Sequence, residues 1–135
     1  DMGVENYLIS SAVLGVLAQR LVRVICKKCI EPTKVSKTLI AEMGTYDQEE
    51  MKTFHGKGCK ECSHTGFRGR AGIYELLVVD DAIRQLILDK STAQIIRETA
   101  RNKGMTTLRE DGWKKVADGI TTVEEVLRVT LNEQT

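Results

Sequence analysis

Cys26-Lys27-Lys28-Cys29 and Cys59-Lys60-Glu61-Cys62 are the two short stretches on which the reading of this chain turns, and 29 residues separate them. A C-x2-C turn presents two sulfurs to one ion, and two such turns complete a tetrahedral four-sulfur shell. The expected ligands are therefore Cys26, Cys29, Cys59 and Cys62, and the expected cofactor is structural Zn2+. A closed shell leaves no position for water or substrate, so the ion couples to local folding and not to catalysis. Dithiol redox chemistry is the competing reading, but a redox C-x-x-C opens a helix in a βαβ setting and needs no second pair. Buried, unliganded cysteines are the blander one. His55 and His64 could each replace a sulfur, although four paired cysteines leave both as surface or neighbouring residues.

Outward from the cysteines, residues 26–70 form a polar, Lys-rich insertion containing Gly56, Gly58, Gly66 and Gly69. Within it, Leu39, Ile40 and Met43 recur at helical spacing before Gly44, which predicts a short helix over 36–43. Upstream, Leu8, Ile9, Ala12, Val13, Val16 and Leu17 predict a buried helix over 7–17. The β-branched run after it predicts a strand over 18–25. Downstream, AGIYELLVV (71–79) reads as a largely buried strand paired with 18–25. From Asp80 the pattern is helical. Start signals stand at Asp80 or Asp81, at Ser91 with Gln94, at Thr107 with Glu110, and at Thr121 or Thr122 with Glu124 or Glu125. Gly104 and Gly119 are the expected stops. The predicted fold class is α+β and mainly helical: a helix and strand over 1–25, the insertion over 26–70, a strand over 71–79, and a helical subdomain over 80–135.

Twenty Lys and Arg against nineteen Asp and Glu give a net charge of +1, so no whole-chain field points to nucleic acid. Lys27, Lys28, Lys57, Lys60, Arg68 and Arg70 do crowd the cysteines, as they would in a nucleic-acid-binding zinc ribbon. Four thiolates around a divalent cation carry about −2, however, and neighbouring cations offset that charge. Only Phe54 and Phe67 flank the site, whereas single-strand binders present several stacking rings. An independent nucleic-acid-binding module is thus the alternative reading, and no nucleic acid is expected as a partner. The 135 residues contain no G-x-x-x-x-G-K-[ST] stretch and no Ser/His/Asp or Cys/His constellation, so this piece is not expected to be an enzyme by itself. No apolar run approaches the length of a spanning helix, and Asp1 to Asn6 do not read as a signal peptide. A cytoplasmic segment cut from a longer protein is the expectation.

The ordered signatures AVLGVLAQRLVRVICKKC (12–29), the second cysteine pair, GFRGRAGIYELL (66–77) and Gly104-Met105-Thr106-Thr107-Leu108 resemble the C-terminal part of the type II secretion and type IV pilus assembly ATPases. Ala82-Ile83-Arg84-Gln85-Leu86-Ile87 is similar to the A-I-R-x-L-I segment of the related pilus retraction ATPases. The resemblance implies that a RecA-like core with the ATP and Mg2+ site precedes Asp1, and that the two strands complete its sheet around the zinc insertion. It implies a homohexamer at the cytoplasmic face of the bacterial inner membrane, working on platform proteins. This region would then supply subunit or platform contacts. Arg20, Arg23 and Arg84, charged side chains set among apolar ones, are the candidate contact residues, with surface arginines lying along a packed element as the plainer reading.

Overall fold

The structure, a computed structural model of the chain, describes residues 14–35 and 52–131. Among the described residues four strands precede four helices: β1 (Gly15–Ile25), β2 (Ile30–Thr33), β3 (Thr53–Gly56), β4 (Phe67–Val78), α1 (Asp81–Leu88), α2 (Ala93–Asn102), α3 (Leu108–Ala117) and α4 (Val123–Thr130). β1 pairs with β4 and β2 pairs with β3. Val79 N donates to Leu14 O at 3.0 Å and Cys26 N to Gly66 O at 2.9 Å, so the longer ribbon is antiparallel. In the shorter hairpin Ile30 faces Gly56 and Thr33 faces Thr53. The α+β class and the pairing of the two longer strands are as the sequence led one to expect, whereas the β2–β3 sheet inside the insertion was not anticipated. The helix predicted over 7–17 is corrected at its end, because Gly15, Val16 and Leu17 open β1. Residues 7–13 and the helix predicted over 36–43 lie outside the described residues.

The strand expected over 71–79 starts earlier, at Phe67, and is not largely buried. Ile73 is fully buried, while Tyr74, Leu76 and Val78 are 44% to 60% exposed. On the second half of β4 the exposed residues are the alternate ones, whereas on β1 they fall on both faces. Leu14, Val16, Leu17 and Leu21 on β1 and its approach are exposed as well. The apolar run predicts burial on both sides, whereas from Ile73 to Val78 the burial follows the pleat.

The chain gathers into two compact units, one of residues 14–18 and 74–107, the other of 19–35, 52–73 and 108–131. In the first, Val79, Ile83 and Ala100 form the core, with Leu77, Leu86, Ile87, Ile96 and Met105 against it. Asp80 caps α1 by accepting from Ile83 N at 2.9 Å. Its second oxygen takes Lys103 Nζ at 2.8 Å, which holds the carboxyl below the usual range. α2 is capped by Thr92, not by the expected Ser91. Ser91 is engaged elsewhere, since its N–H closes the end of α1 on Leu86 O.

The second unit is built on Trp113, Val116, Val123, Val126 and Leu127, with Val35 packed on them. α3 and α4 approach closely at Gly112, where a Cβ would drive into the side chain of Val126. The turn between them reverses at Gly119, whose φ is +76°. There Ile120 O accepts from Ile25 N at 2.8 Å and Thr121 Oγ1 donates to Arg23 O at 2.8 Å. The predicted helix start at Thr122 is observed, with its hydroxyl accepting from Glu125 N at 3.1 Å.

Glu125 is 2% exposed and takes four hydrogen bonds from two arginines. Arg23 donates through its backbone N at 2.8 Å and its Nη2 at 3.0 Å; Arg128 donates through Nε at 2.9 Å and Nη2 at 3.0 Å. Burial pushes the Glu125 carboxyl up, but Arg128 and Arg23 outweigh it and bring it down to about 2. A carboxylate depressed on folding contributes stability that is whole above its unfolded value, about 4.5, and is lost as pH falls toward 2.

Two outcomes follow for stability. Gly112→Ala should cost about 1–3 kcal/mol by overpacking, despite alanine's better helix propensity, and a denaturant titration reads it. Glu125→Gln should cost about 3 kcal/mol at neutral pH, with the difference from the parent chain shrinking between pH 4.5 and 2. An unchanged difference across that range would remove the clamp from the account.

Candidate metal centre

Each cysteine turn joins a strand of the long ribbon to a strand of the short hairpin. Cys26 follows β1 directly and Cys29 precedes β2; Cys59 follows β3 and Cys62 stands five residues before β4. Four strand ends therefore meet at the cysteines. Cys29 N turns back to Cys26 O at 3.4 Å, and Lys57 N reaches Cys29 O at 3.1 Å, which ties the two turns together.

The second turn is the more contorted. Ser63 and His64 both take left-handed backbone, at φ 56° and 63°, and Gly58 and Gly66 are left-handed too. Gly56 and Gly66 cross with their backbones in contact, so that a Cβ on either would enter the other residue's main chain. Only glycine fits at both positions.

The four Sγ atoms all lie within 4.8 Å of one another. Cys26 to Cys59 is 3.8 Å, Cys29 to Cys62 is 3.8 Å and Cys59 to Cys62 is 3.7 Å. A regular tetrahedron with metal–sulfur bonds of about 2.3 Å has edges of about 3.8 Å. The donor set thus fits one tetrahedral ion. The four cysteines that the spacing selected are the four that the fold brings together.

Backbone amides point at the sulfurs. Gly58 N donates to Cys29 Sγ at 3.3 Å, and Cys62 Sγ accepts from Cys59 N at 3.3 Å and Gly66 N at 3.2 Å. Burial pushes the Cys29 thiol up to about 12, against a smaller downward pull from the Gly58 amide. At Cys62 burial also pushes upward, but the Cys59 and Gly66 amides prevail and bring it down to about 6. One sulfur of the set is therefore ready to ionise first, and a divalent cation would displace the protons from the rest. Lys27, Lys28, Lys57 and Lys60 are all exposed around the turns, in keeping with charge that offsets a four-thiolate cluster.

Neither histidine belongs to the cluster. His55 Nε2 meets Glu31 Oε1 at 2.8 Å across the β2–β3 pair, and His64 is exposed. Arg20 is exposed and donates to Gln19 O at 2.9 Å. Arg23, beyond its contact with Glu125, lies with its guanidinium 4.3 Å from the centre of the Phe67 ring. Arg84 is half-buried on α1 and reaches Asp81 at 3.4 Å. The sequence reading had marked Glu125 only as a helix-start residue and had not paired Gly56 with Gly66. Thr122-x-x-Glu125 did signal a capping box, but nothing local announces a partner 102 residues away.

The profile of the type II/IV secretion system protein family matches residues 1–128. The chain belongs to that family. It is 51% identical to the type II secretion system protein E of Pseudomonas aeruginosa over 98% of its length, and 47% identical to the type IV pilus assembly ATPase PilB of Thermus thermophilus over 97%. The type II secretion system ATPase E of Vibrio cholerae is 45% identical over 96%. The chain spans about a quarter or less of these relatives: 26%, 15% and 26% of their lengths. No helix among the described residues of this family member is long and apolar enough to cross a membrane.

Gly66→Ala should open the crossing and draw one of the two amides away from Cys62. Metal affinity, measured by competition with a chromophoric chelator, should fall at least tenfold, the scale expected when support around the ligands is lost. Undiminished affinity would show that the glycine crossing does not shape the site.

Proposed function

We propose that this chain is the zinc-binding and helical C-terminal region of an ATPase that powers type II secretion or type IV pilus assembly. The observation that carries this reading is a tetrahedral four-sulfur set in a chain whose relatives bear both those names. Zn2+ suits four sulfur donors and has no redox chemistry of its own, so it acts as a staple between the strand ends. ATP and Mg2+ belong to a RecA-like core elsewhere in the parent protein. The apolar side chains exposed on the β1–β4 ribbon, Val16, Leu17, Tyr74, Leu76 and Val78, support packing against that core.

In the parent, a cytoplasmic homohexamer working on inner-membrane platform proteins, this region supplies contacts and not the hydrolysis site. Arg20 and Arg84 are the candidate contact residues. Arg23 would contribute mainly by holding β1 to α4 through Glu125.

The test uses the full-length parent ATPase. Cys26→Ser should reduce bound zinc from about one per chain and lower assembly-stimulated hydrolysis at least tenfold, with nucleotide binding retained. Arg84→Ala should also lower stimulated hydrolysis, with zinc content unchanged. Full stimulated activity in both variants would contradict a contact role for this region.

A further inference from the structure

The same four cysteines are placed to do something a structural zinc site does not require. Each has a sulfur of the opposite turn in contact with it: Cys26 with Cys59 and Cys29 with Cys62, both at 3.8 Å. These pairs are disjoint, so together they account for all four sulfurs. Closing each to a disulfide of about 2.05 Å asks each sulfur to move by only about 0.9 Å.

The backbone beside both pairs is already pinned across the turns, by Cys26 N to Gly66 O at 2.9 Å and Lys57 N to Cys29 O at 3.1 Å. Cys29 and Cys59 are only half-buried, so a small oxidant can reach one sulfur of each pair. All four sulfurs lie within 4.8 Å of one another and Cys59 also has Cys62 at 3.7 Å in its own turn, but a bond within a turn would leave the two turns untied.

We propose that the cluster is a peroxide-responsive modification site, in which oxidation exchanges the metal staple for two disulfides across the turns, Cys26–Cys59 and Cys29–Cys62. This rests on the zinc reading above. The thiolate of Cys29 or Cys59 attacks the peroxide O–O bond and becomes a sulfenic acid, releasing water after protonation. The partner thiolate, Cys62 or Cys26, then attacks that sulfur, forms the S–S bond and expels the oxygen as a second water. Each pair gives two electrons to one peroxide. In total, four thiolates, two hydrogen peroxide molecules and four protons yield two disulfides and four waters, and the divalent ion is freed. The oxidised chain keeps its strand ends together, so the change alters charge and metal content while retaining the fold.

The experiment treats the zinc-loaded chain with hydrogen peroxide, following zinc with a chromophoric chelator, thiols by alkylation, and secondary structure by far-ultraviolet circular dichroism. Zinc content is measured before oxidant is added, so a failure of the zinc reading appears at that point and separately. Trypsin then maps the bonds without reduction. Cleavage after Lys27, Lys28, Lys57 and Lys60 puts each cysteine on its own peptide. The expected result is release of the bound zinc, loss of all four thiols, little change in dichroism, and two linked peptide pairs, 24–27 with 58–60 and 29–34 with 61–68. Dithiothreitol with added zinc should restore the thiols. Zinc and thiols that withstand peroxide, irreversible sulfinic acids, or 24–27 linked to 29–34 would each overturn the proposal.

Discussion

Two cysteine turns separated by 29 residues must come together for four sulfurs to converge, and Cys26 N on Gly66 O and Lys57 N on Cys29 O join them, while the Gly56–Gly66 crossing closes the second turn on itself. Everything near the cluster is arranged around that approach. β1 and β4 carry Cys26 and Gly66 to it, and the β2–β3 hairpin carries Cys29 and Gly56. The amides of Gly58, Cys59 and Gly66 then face sulfur instead of a carbonyl. Left-handed backbone at Ser63 and His64 costs of order 1 kcal/mol per residue without help, and an ion bound by the four sulfurs would offset it. Among the described residues the short hairpin has Phe54 and Ile30 near Gly119, and an ion held by the four sulfurs would tie its strand ends to the longer ribbon.

A second constraint anchors the metal-bearing unit to its helices. Glu125 lies buried with two guanidinium groups on it, and removal of either partner would strand charge out of water. Because one donor is the backbone N of Arg23, the carboxylate fixes the position of β1 three residues before Cys26. Thr121 and Ile120 add two more bonds to the same strand. Cys26 is therefore held from the helix side as well as from the hairpin side. The other unit rests on an ordinary apolar core and on Asp80, which caps α1 while pairing with Lys103 from the end of α2.

Much of this was legible in the sequence where the signal is local. The C-x2-C spacing selected the cluster, Asp80 and Thr122 marked helix starts, and Gly104 and Gly119 marked left-handed stops. Ser91 misled because two adjacent hydroxyl residues both suit a cap, and the choice fell to which N–H the preceding helix used. The strand over 71–79 misled in its burial, since a mostly apolar run, here broken by Glu75 alone among charged residues, looks the same whether both faces are covered or one is exposed. Gly15 to Leu17 looked helical by periodicity alone, and cross-strand pairing with β4 prevailed. Contacts such as Glu125 to Arg23, or Gly56 to Gly66, have no local signature. They arise only after the chain has folded back on itself.

The claim at the centre is that one ion, held by Cys26, Cys29, Cys59 and Cys62 alone, joins the strand ends. X-ray absorption at the zinc edge of the zinc-loaded chain tests it most directly. The account predicts a single shell of four sulfur scatterers at about 2.3 Å and no nitrogen or oxygen neighbour. A shell containing nitrogen or oxygen at about 2.0 Å, or fewer than four sulfurs, would contradict it.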